Sequence, residues 1–470
     1  MIHYQSFGAA RQVTGSMHFL KFANGFKLLL DCGIDYERNE FGETASNLHF
    51  PFQPQEIDAI VLSHAHIDHS GNIPNLVRQG FTGKIYCTKA TQYLLEDLWR
   101  DSLNIQMGDA RKNGNKKGKS SSKSEVLYSE RHIIQSMQQI VSCVYNQEIT
   151  LSENQIFKFI QAGHIIGAAS VYLEDTAGNR KVKFGFTGDL GNYETQLVVN
   201  PQPLPNVDYL ISESTYGGRV HSPEKDAEAL LLKYVEEVCV KEKGKLVIPA
   251  FSIGRTQAII FTFHQLFRKG KLPTWLKIYT DSPMAIKSTR VYDNFHDELN
   301  SQTIEFYKQY NDIFHFQNLK TVSEQSESDY ISESHEACVI VSAAGMMEGG
   351  RIQKHIRANI QGYQNAVLIA GYCSEGTLGD RLLSGLETIT INRKEKQVNA
   401  KIYRTDAFSA HADSLGLLRY YENMHLENTK QIFLVHGEEK GMQDLGALIK
   451  NKFSNVEITM PIKEKIYQLD

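Results

Sequence analysis

The fold class this sequence predicts is α/β: strand-rich segments at both ends enclosing an inserted parallel α/β unit. Three patterns predict it. The first 90 residues, and again residues 150–210, read as short apolar strands separated by turns. Between 223 and 395 helical patterns alternate with apolar strands, as in a parallel sheet joined by crossover helices. After about 395 strands resume and return the chain to its first domain.

In order, strands are expected at Met1 to Ser6, Phe26 to Leu30, Ile57 to Leu62 and Lys84 to Cys87. Residues 91–109 read as a helix, and Ser129 to Cys143 as a second. Between them, residues 111–123 carry six basic side chains and no acidic one, which predicts a flexible loop. It is either a solvated loop or a contact for a nucleic-acid backbone. Strands follow at Lys181 to Thr187 and Tyr209 to Ser212. The insertion is expected to use helices Asp226 to Lys241 and Thr256 to Lys269, with strands Lys245 to Ile248, Ala337 to Ser342 and Ala366 to Ala370. Asn399 to Arg404 and Gln431 to His436 are the returning strands.

A chain of 470 residues can build two or three cores, and 41% hydrophobic with 22% charged residues describes an ordinary globular protein. A net charge of −4 supplies no global positive field for nucleic acid, so any such binding needs a local groove. Six cysteines lie scattered without C-x-x-C spacing, which argues against a disulfide framework or a cysteine zinc site. No basic, apolar leader pattern opens the chain, and no run of about 18 apolar residues could span a bilayer. The cytoplasm is the expected location.

His64-Ala65-His66-Ile67-Asp68-His69 places three histidines and an aspartate in six residues, directly after a strand. Imidazole and carboxylate suit the same borderline cations. Alternation sends His64 and His66 to one side, while Asp68 and His69 belong to the turn and helix start that follow. One cluster can thus serve two adjacent metals. Asp31, His164, Asp189 and His436 also stand at the ends of apolar strands, three of them beside glycine. Together they supply further ligands.

With these residues in view, the order Asp31, HAHIDH, His164, Asp189 resembles the metallo-β-lactamase fold, an αββα sandwich with a dinuclear metal site at the edge of its two sheets. Ser212 to Gly217, Phe408 to Asp413 and Val435 to Gly437 resemble its β-CASP branch of nucleases, as do Gly8 to Ser16, Pro249 to Arg255, Gly345 to Arg351 and Gly376 to Gly379. The resemblance spans nearly the whole chain. It implies a sandwich over 1–208 and 395–470 with a β-CASP domain over 209–394.

It also implies two Zn²⁺, with Mn²⁺ or Fe as other candidates, one held by His64, His66 and His164 and one by Asp68, His69 and His436. Asp189 would bridge them, and Asp31 would orient a ligand or the bridging water. Asp68, Asp189, His411 and Glu213 form the implied catalytic set: a metal-bridging hydroxide attacks phosphorus while His411, beside Glu213, assists the leaving group. Arg255, Ser342, Gly345 and Arg351 are candidate contacts for substrate phosphates, the two arginines alternatively forming salt bridges. The glycine turn 376–379 is a similar candidate.

The implied function is RNA hydrolysis, endonucleolytic or 5′–3′ exonucleolytic, because histidine at position 436 resembles the RNA-cleaving members. The alternatives are a small-molecule ester or thioester hydrolase, a DNA nuclease, and an inactive subunit of a processing complex. Partners would be single-stranded RNA and no membrane, with a homodimer allowed. Gln12, Cys373-Ser374 and Asp380 depart from the branch's usual residues, and Asp380 sets a negative charge near the implied RNA path. No KH module is expected before the sandwich, and no RNase J-type domain after it.

Overall fold

The structure, a computed structural model, describes residues 1–37, 47–114, 126–222, 226–374, 376–391 and 394–469. The chain divides into two compact units, one built from 1–193, 200–220 and 411–470, the other from 194–199 and 221–410.

The first unit is an αββα sandwich. Alternation of buried side chains along Ile2–Gly8 and Gln155–Gln161 marks strands with one face inward. One seven-stranded sheet runs in the spatial order Tyr467–Leu469, Ile2–Gly8, Met17–Lys21, Lys27–Leu30, Ala59–Val61, Lys84–Thr88, Ile140–Cys143. The other runs Glu457–Thr459, Gln431–Val435, Tyr209–Glu213, Val182–Phe186, Ala169–Asp175, Gln155–Gln161, Ile149–Thr150. Tyr4, Leu28, Val61, Phe157, Val171, Phe184, Ile211 and Phe433 fill the space between the two sheets. The second sheet's outer face is covered by helices Ser414–Asn423 and Glu439–Lys452, through Leu417, Tyr420, Tyr421, Met442, Leu445 and Ile449. Helix Lys89–Gly114 packs on Lys84–Thr88 in the first sheet, and buried Trp99 donates its indole N–H to the Ser70 carbonyl at 3.0 Å.

The parallel strands matter for the site. Lys27–Leu30, Ala59–Val61 and Lys84–Thr88 run parallel, as do Val182–Phe186, Tyr209–Glu213 and Gln431–Val435. Their carboxyl ends therefore emerge together, the place where parallel strands characteristically present functional side chains.

The second unit carries a six-stranded parallel sheet in the order Leu319–Thr321, Lys277–Asp281, Cys338–Ser342, Lys245–Pro249, Ala366–Ile369, Lys401–Arg404. Its central strands are buried on both faces, which explains their continuous apolar character in sequence. Helix Arg255–Arg268 is likewise almost wholly buried.

Several elements differ from expectation. The helix from 129 stops at Gln139, and Ile140–Cys143 is an edge strand parallel to Lys84–Thr88, a state that suits β-branched Ile140 and Val141. The helix from 226 is α-helical over Ala227–Tyr234 and continues as a wider π-helical stretch, Val235–Lys241. Tyr209–Glu213 pairs within the sandwich, whereas Lys401–Arg404 pairs with Ala366–Ile369 of the second unit rather than with the returning sandwich strands. The basic segment is helical to Gly114; residues 115–123 lie outside the described residues.

A candidate dinuclear metal centre

Each candidate residue follows a strand or closes a turn at one edge of the sandwich. Asp31 follows Lys27–Leu30, and Ser63 to His66 follow Ala59–Val61. His66 then caps the short helix Ile67–Ser70, which carries Asp68 and His69. His164 lies in the turn after Gln155–Gln161, Asp189 follows Val182–Phe186, Glu213 ends Tyr209–Glu213, and His436 follows Gln431–Val435. Asp31 and His436 both take left-handed backbone angles, φ 61° and 53°. Such strain in a non-glycine residue persists only where surrounding contacts hold it. Gly188, at φ 53°, lets Asp189 approach the first sheet: a Cβ there would lie 2.6 Å from that of Ser63.

The side chains converge in two groups. In the first, His64 Nε2 and His66 Nδ1 lie 3.1 Å apart, and His164 Nε2 lies 3.2 Å from the same His66 nitrogen. In the second, His69 Nε2 and His436 Nε2 lie 3.0 Å apart, with Asp68 Oδ2 3.5 Å from the latter. Asp189 divides its two oxygens between them. Oδ2 is 3.5 Å from both His64 Nε2 and His164 Nε2, whereas Oδ1 is 3.3 Å from His69 Nε2 and 3.6 Å from His436 Nε2. The ligand atoms of His64, His66, His164 and Asp189 lie within 4.8 Å of one another, as do those of Asp68, His69 and His436.

The ring nitrogens facing away are fixed by partners. His69 Nδ1 donates to Asp31 Oδ2 at 2.6 Å, and His64 Nδ1 meets Ser63 Oγ at 3.0 Å. Thr215 Oγ1 donates to the His436 carbonyl at 3.1 Å, so its lone pair faces His436 Nδ1 at 2.9 Å. With the outer nitrogens protonated, lone pairs of His64, His69 and His436 point inward. Buried Asp189 Oδ1 accepts no hydrogen bond from the described residues. Inward lone pairs 3.0–3.2 Å apart around an unsatisfied carboxylate oxygen fit a pair of divalent cations.

The electrostatics point the same way. Burial pulls His64 well below the usual histidine value and His66 down to about 4, so both are ready to ligate. Burial alone would raise the Asp189 carboxyl, yet the imidazoles around it, His436 foremost, hold it well below the carboxylate range. Burial likewise disfavours charge on His69, but Asp189, Asp31 and Asp68 raise it well above normal. A cation at that nitrogen would take the proton's place.

Beside this cluster, His411 presents Nε2 3.9 Å from Asp189 Oδ2, while Nδ1 lies 3.3 Å from both oxygens of buried Glu213. Burial lowers the His411 pKa, but Glu213 and then Asp189 outweigh it and raise the value. Glu213 is itself held by the Leu190 N–H at 2.5 Å and the Thr215 N–H at 3.3 Å.

The four phosphate candidates lie in the second unit. Arg351 Nη1 pairs with buried Asp281 at 2.6 Å, its Nη2 donates to the Ser323 carbonyl, and Ser342 Oγ donates to the Asp281 carbonyl at 2.8 Å. Arg255, 7% exposed, stacks 4.8 Å over the Phe251 ring, which also covers Gly345. In the turn 376–379, the Gly376 N–H donates to Asp380 and the Leu378 N–H to Glu348, so carboxylates of the chain already occupy donors a phosphate would use. Asp380 closes its own turn.

Ser63, Ser16 and Thr215 are the participants that sequence reasoning missed. Ser63 precedes the histidine cluster and Thr215 lies inside Ser212 to Gly217, so adjacency was the available signal.

Comparison with known proteins agrees with this geometry. Residues 11–217 match the metallo-beta-lactamase superfamily, 256–382 the Beta-Casp domain, and 395–461 the Zn-dependent metallo-hydrolase RNA specificity domain. The chain is 30% identical to ribonuclease TTHA0252 of Thermus thermophilus over 96% of its own length and 97% of the relative's. It is 31% identical to an RNase J-like protein of Methanocaldococcus jannaschii, covering 93% of each. Transcription termination factor FttA of the same organism is 29% identical over 95% of this chain and 68% of that protein. A solved protein of unknown function from Enterococcus faecalis V583 shares the fold at a TM-score of 0.54 and 12% identity, each chain fully covered. The chain belongs to the metallo-β-lactamase superfamily, in the branch whose sandwich carries a Beta-Casp domain.

Proposed function

We propose that this chain is a metal-dependent ribonuclease in which His64, His66 and His164 hold one cation, Asp68, His69 and His436 hold the other, and Asp189 bridges them. The observation that carries the reading is the division of the two Asp189 oxygens between two groups of inward-facing ligands, with His411 beside them. RNA as substrate draws support from the RNA specificity domain matched at 395–461 and from relatives named as ribonucleases. Zinc suits the histidine-rich donor set.

A pair of Zn²⁺ ions bound there supplies Lewis acidity toward phosphoryl oxygen and acidifies water near neutral pH. The rest is the work of the chain's own side chains. Asp31, Ser63 and Thr215 keep the ligand imidazoles in the tautomer that turns a lone pair inward. Glu213 orients His411 through Nδ1 and favours its protonated form, leaving Nε2–H to donate a proton to the departing 3′-oxygen. Asp189 and Asp68 contribute negative charge that retains the cations.

Six cysteines, all free and buried, accord with a reducing cytoplasm, and among the described residues no helix is long and apolar enough to cross a membrane. The decisive experiment incubates Zn²⁺-loaded protein with 5′-labelled single-stranded RNA, DNA of the same sequence and a generic ester, beside Asp189→Ala. Cleavage of RNA that disappears in the variant is expected. Ester turnover without RNA cleavage would reject the ribonuclease reading.

A further inference from the structure

We propose that Ser63 is a positioning residue that joins both metal-ligand groups to the single carboxylate of Asp31. The inference rests on the ligand assignment above and adds to it a coupling between the two groups.

Donor counting leads to it. Asp31 is fully buried and accepts four hydrogen bonds: from Ser63 N at 2.8 Å, Ser63 Oγ at 2.9 Å, Ser16 Oγ at 3.0 Å and His69 Nδ1 at 2.6 Å. A carboxylate only accepts, so the one hydroxyl proton of Ser63 is committed to Asp31. The Ser63 lone pair must then face His64 Nδ1, 3.0 Å away, and that nitrogen must carry the proton. His64 Nε2 is left with its lone pair directed at Asp189 Oδ2 and His66. Asp31 thus sets the tautomer of His69 in one group directly, and of His64 in the other through Ser63. Both links share one oxygen, Oδ2. His436, in contrast, has its own hydroxyl partner in Thr215. The strand end is rigid enough for this to be specific. Ser63 N is bound to Asp31, its carbonyl accepts from Ala169 N at 2.9 Å, and both residues are buried.

Removing the hydroxyl leaves His64 Nδ1 without an acceptor that commits its proton, so the ring loses its preference for the ligating tautomer. Loss of an outer partner of a ligating histidine costs about 10–100-fold in metal affinity. The test titrates purified apo-protein with Zn²⁺ against a chromophoric chelator, reading two stepwise affinities, for wild type, Ser63→Ala, Ser63→Thr, Asp31→Asn and the Ser63→Ala/Asp31→Asn double variant. In Ser63→Ala one equivalent should weaken about 10–100-fold while the other is kept, and Ser63→Thr, which retains the hydroxyl, should restore it. Asp31→Asn should weaken both equivalents, and the double variant should be no weaker than Asp31→Asn at the affected site.

Unchanged affinities in Ser63→Ala, equal weakening of both equivalents, or failure of threonine to rescue would each overturn the relay while leaving the ligand assignment intact. Fewer than two Zn²⁺ bound by wild type would instead remove that assignment. Should Asp31→Asn fail to fold, the Ser63→Ala and Ser63→Thr pair still decides the matter.

Discussion

His411 and Glu213 lie 198 positions apart in sequence, yet the carboxylate sits 3.3 Å from the imidazole and raises its pKa against the pull of burial. His411→Ala should retain both Zn²⁺ by elemental analysis and lose about 10²–10⁴-fold in RNA turnover, the usual worth of a positioned acid. Loss of a metal equivalent would make His411 a ligand instead. His18 makes a second case. Burial first, then His69 and His436, lowers its pKa from 6.5 to about 3. The folded chain keeps His18 neutral where the unfolded chain takes up a proton. Its contribution is therefore complete above pH 6.5 and is lost as pH drops from there towards 3, the loss amounting to about 2 kcal/mol by pH 5. Urea midpoints at pH 7.5 and 5.0 should differ less in His18→Gln than in wild type; an identical pH slope would refute this. The proposed ligands stood out in sequence because three histidines and an aspartate crowd positions 64–69 and further histidine and aspartate residues close other strands. Ser63 and Thr215 did not, since a hydroxyl's role depends on which acceptor the fold brings to it.

Elements positioned by local pattern alone were legible, as with Lys245–Pro249 and Cys338–Ser342, whose apolar runs answer to burial on both faces. Partner choice was not legible. Lys401–Arg404 reads as a strand in sequence, but its place beside Ala366–Ile369 is decided by tertiary contacts, including Lys401 and Tyr403 bound to Glu237 of the π-helical stretch. Ile140–Cys143 was similarly misread as helix because its apolar spacing fits both periods. Among the turns, Gly188 carries a sharp consequence. Its φ of 53° and the 2.6 Å approach of a Cβ to Ser63 mean that Gly188→Ala strains the turn and pushes Asp189 off the first sheet. The variant should lose about 1–3 kcal/mol of stability and bind Zn²⁺ more weakly, measured by thermal melting and chelator competition. A variant as stable and as avid as wild type would show that the turn relaxes freely.

Across the whole molecule, the proposed ligands come from segments near 64–69, 164, 189 and 436, and every one lies in the unit formed by 1–193, 200–220 and 411–470. The ligand order therefore requires the chain to leave the sandwich, build a second core and return before His436 is in place. That long-range closure is invisible to local periodicity, although the apolar strand ending at His436 hinted at it. Metal binding should stabilise the unit that holds the ligands and leave the other nearly untouched, because a ligand favours only the folded state that binds it. With Zn²⁺ at a thousand times its dissociation constant, the gain is about 4 kcal/mol per site. For a unit of this size that corresponds to roughly 10 °C in its transition. Calorimetry with and without chelator should show one transition moving down by this order and the other staying within a degree or two of its place. The moving transition should become insensitive to chelator in Asp189→Ala, which lacks the carboxylate proposed to bridge the two cations. If both transitions shift together, the two units unfold as one cooperative block and stability can no longer be assigned to the metal-binding unit alone. If neither shifts, the inward-facing imidazoles and Asp189 do not hold a stabilising cation.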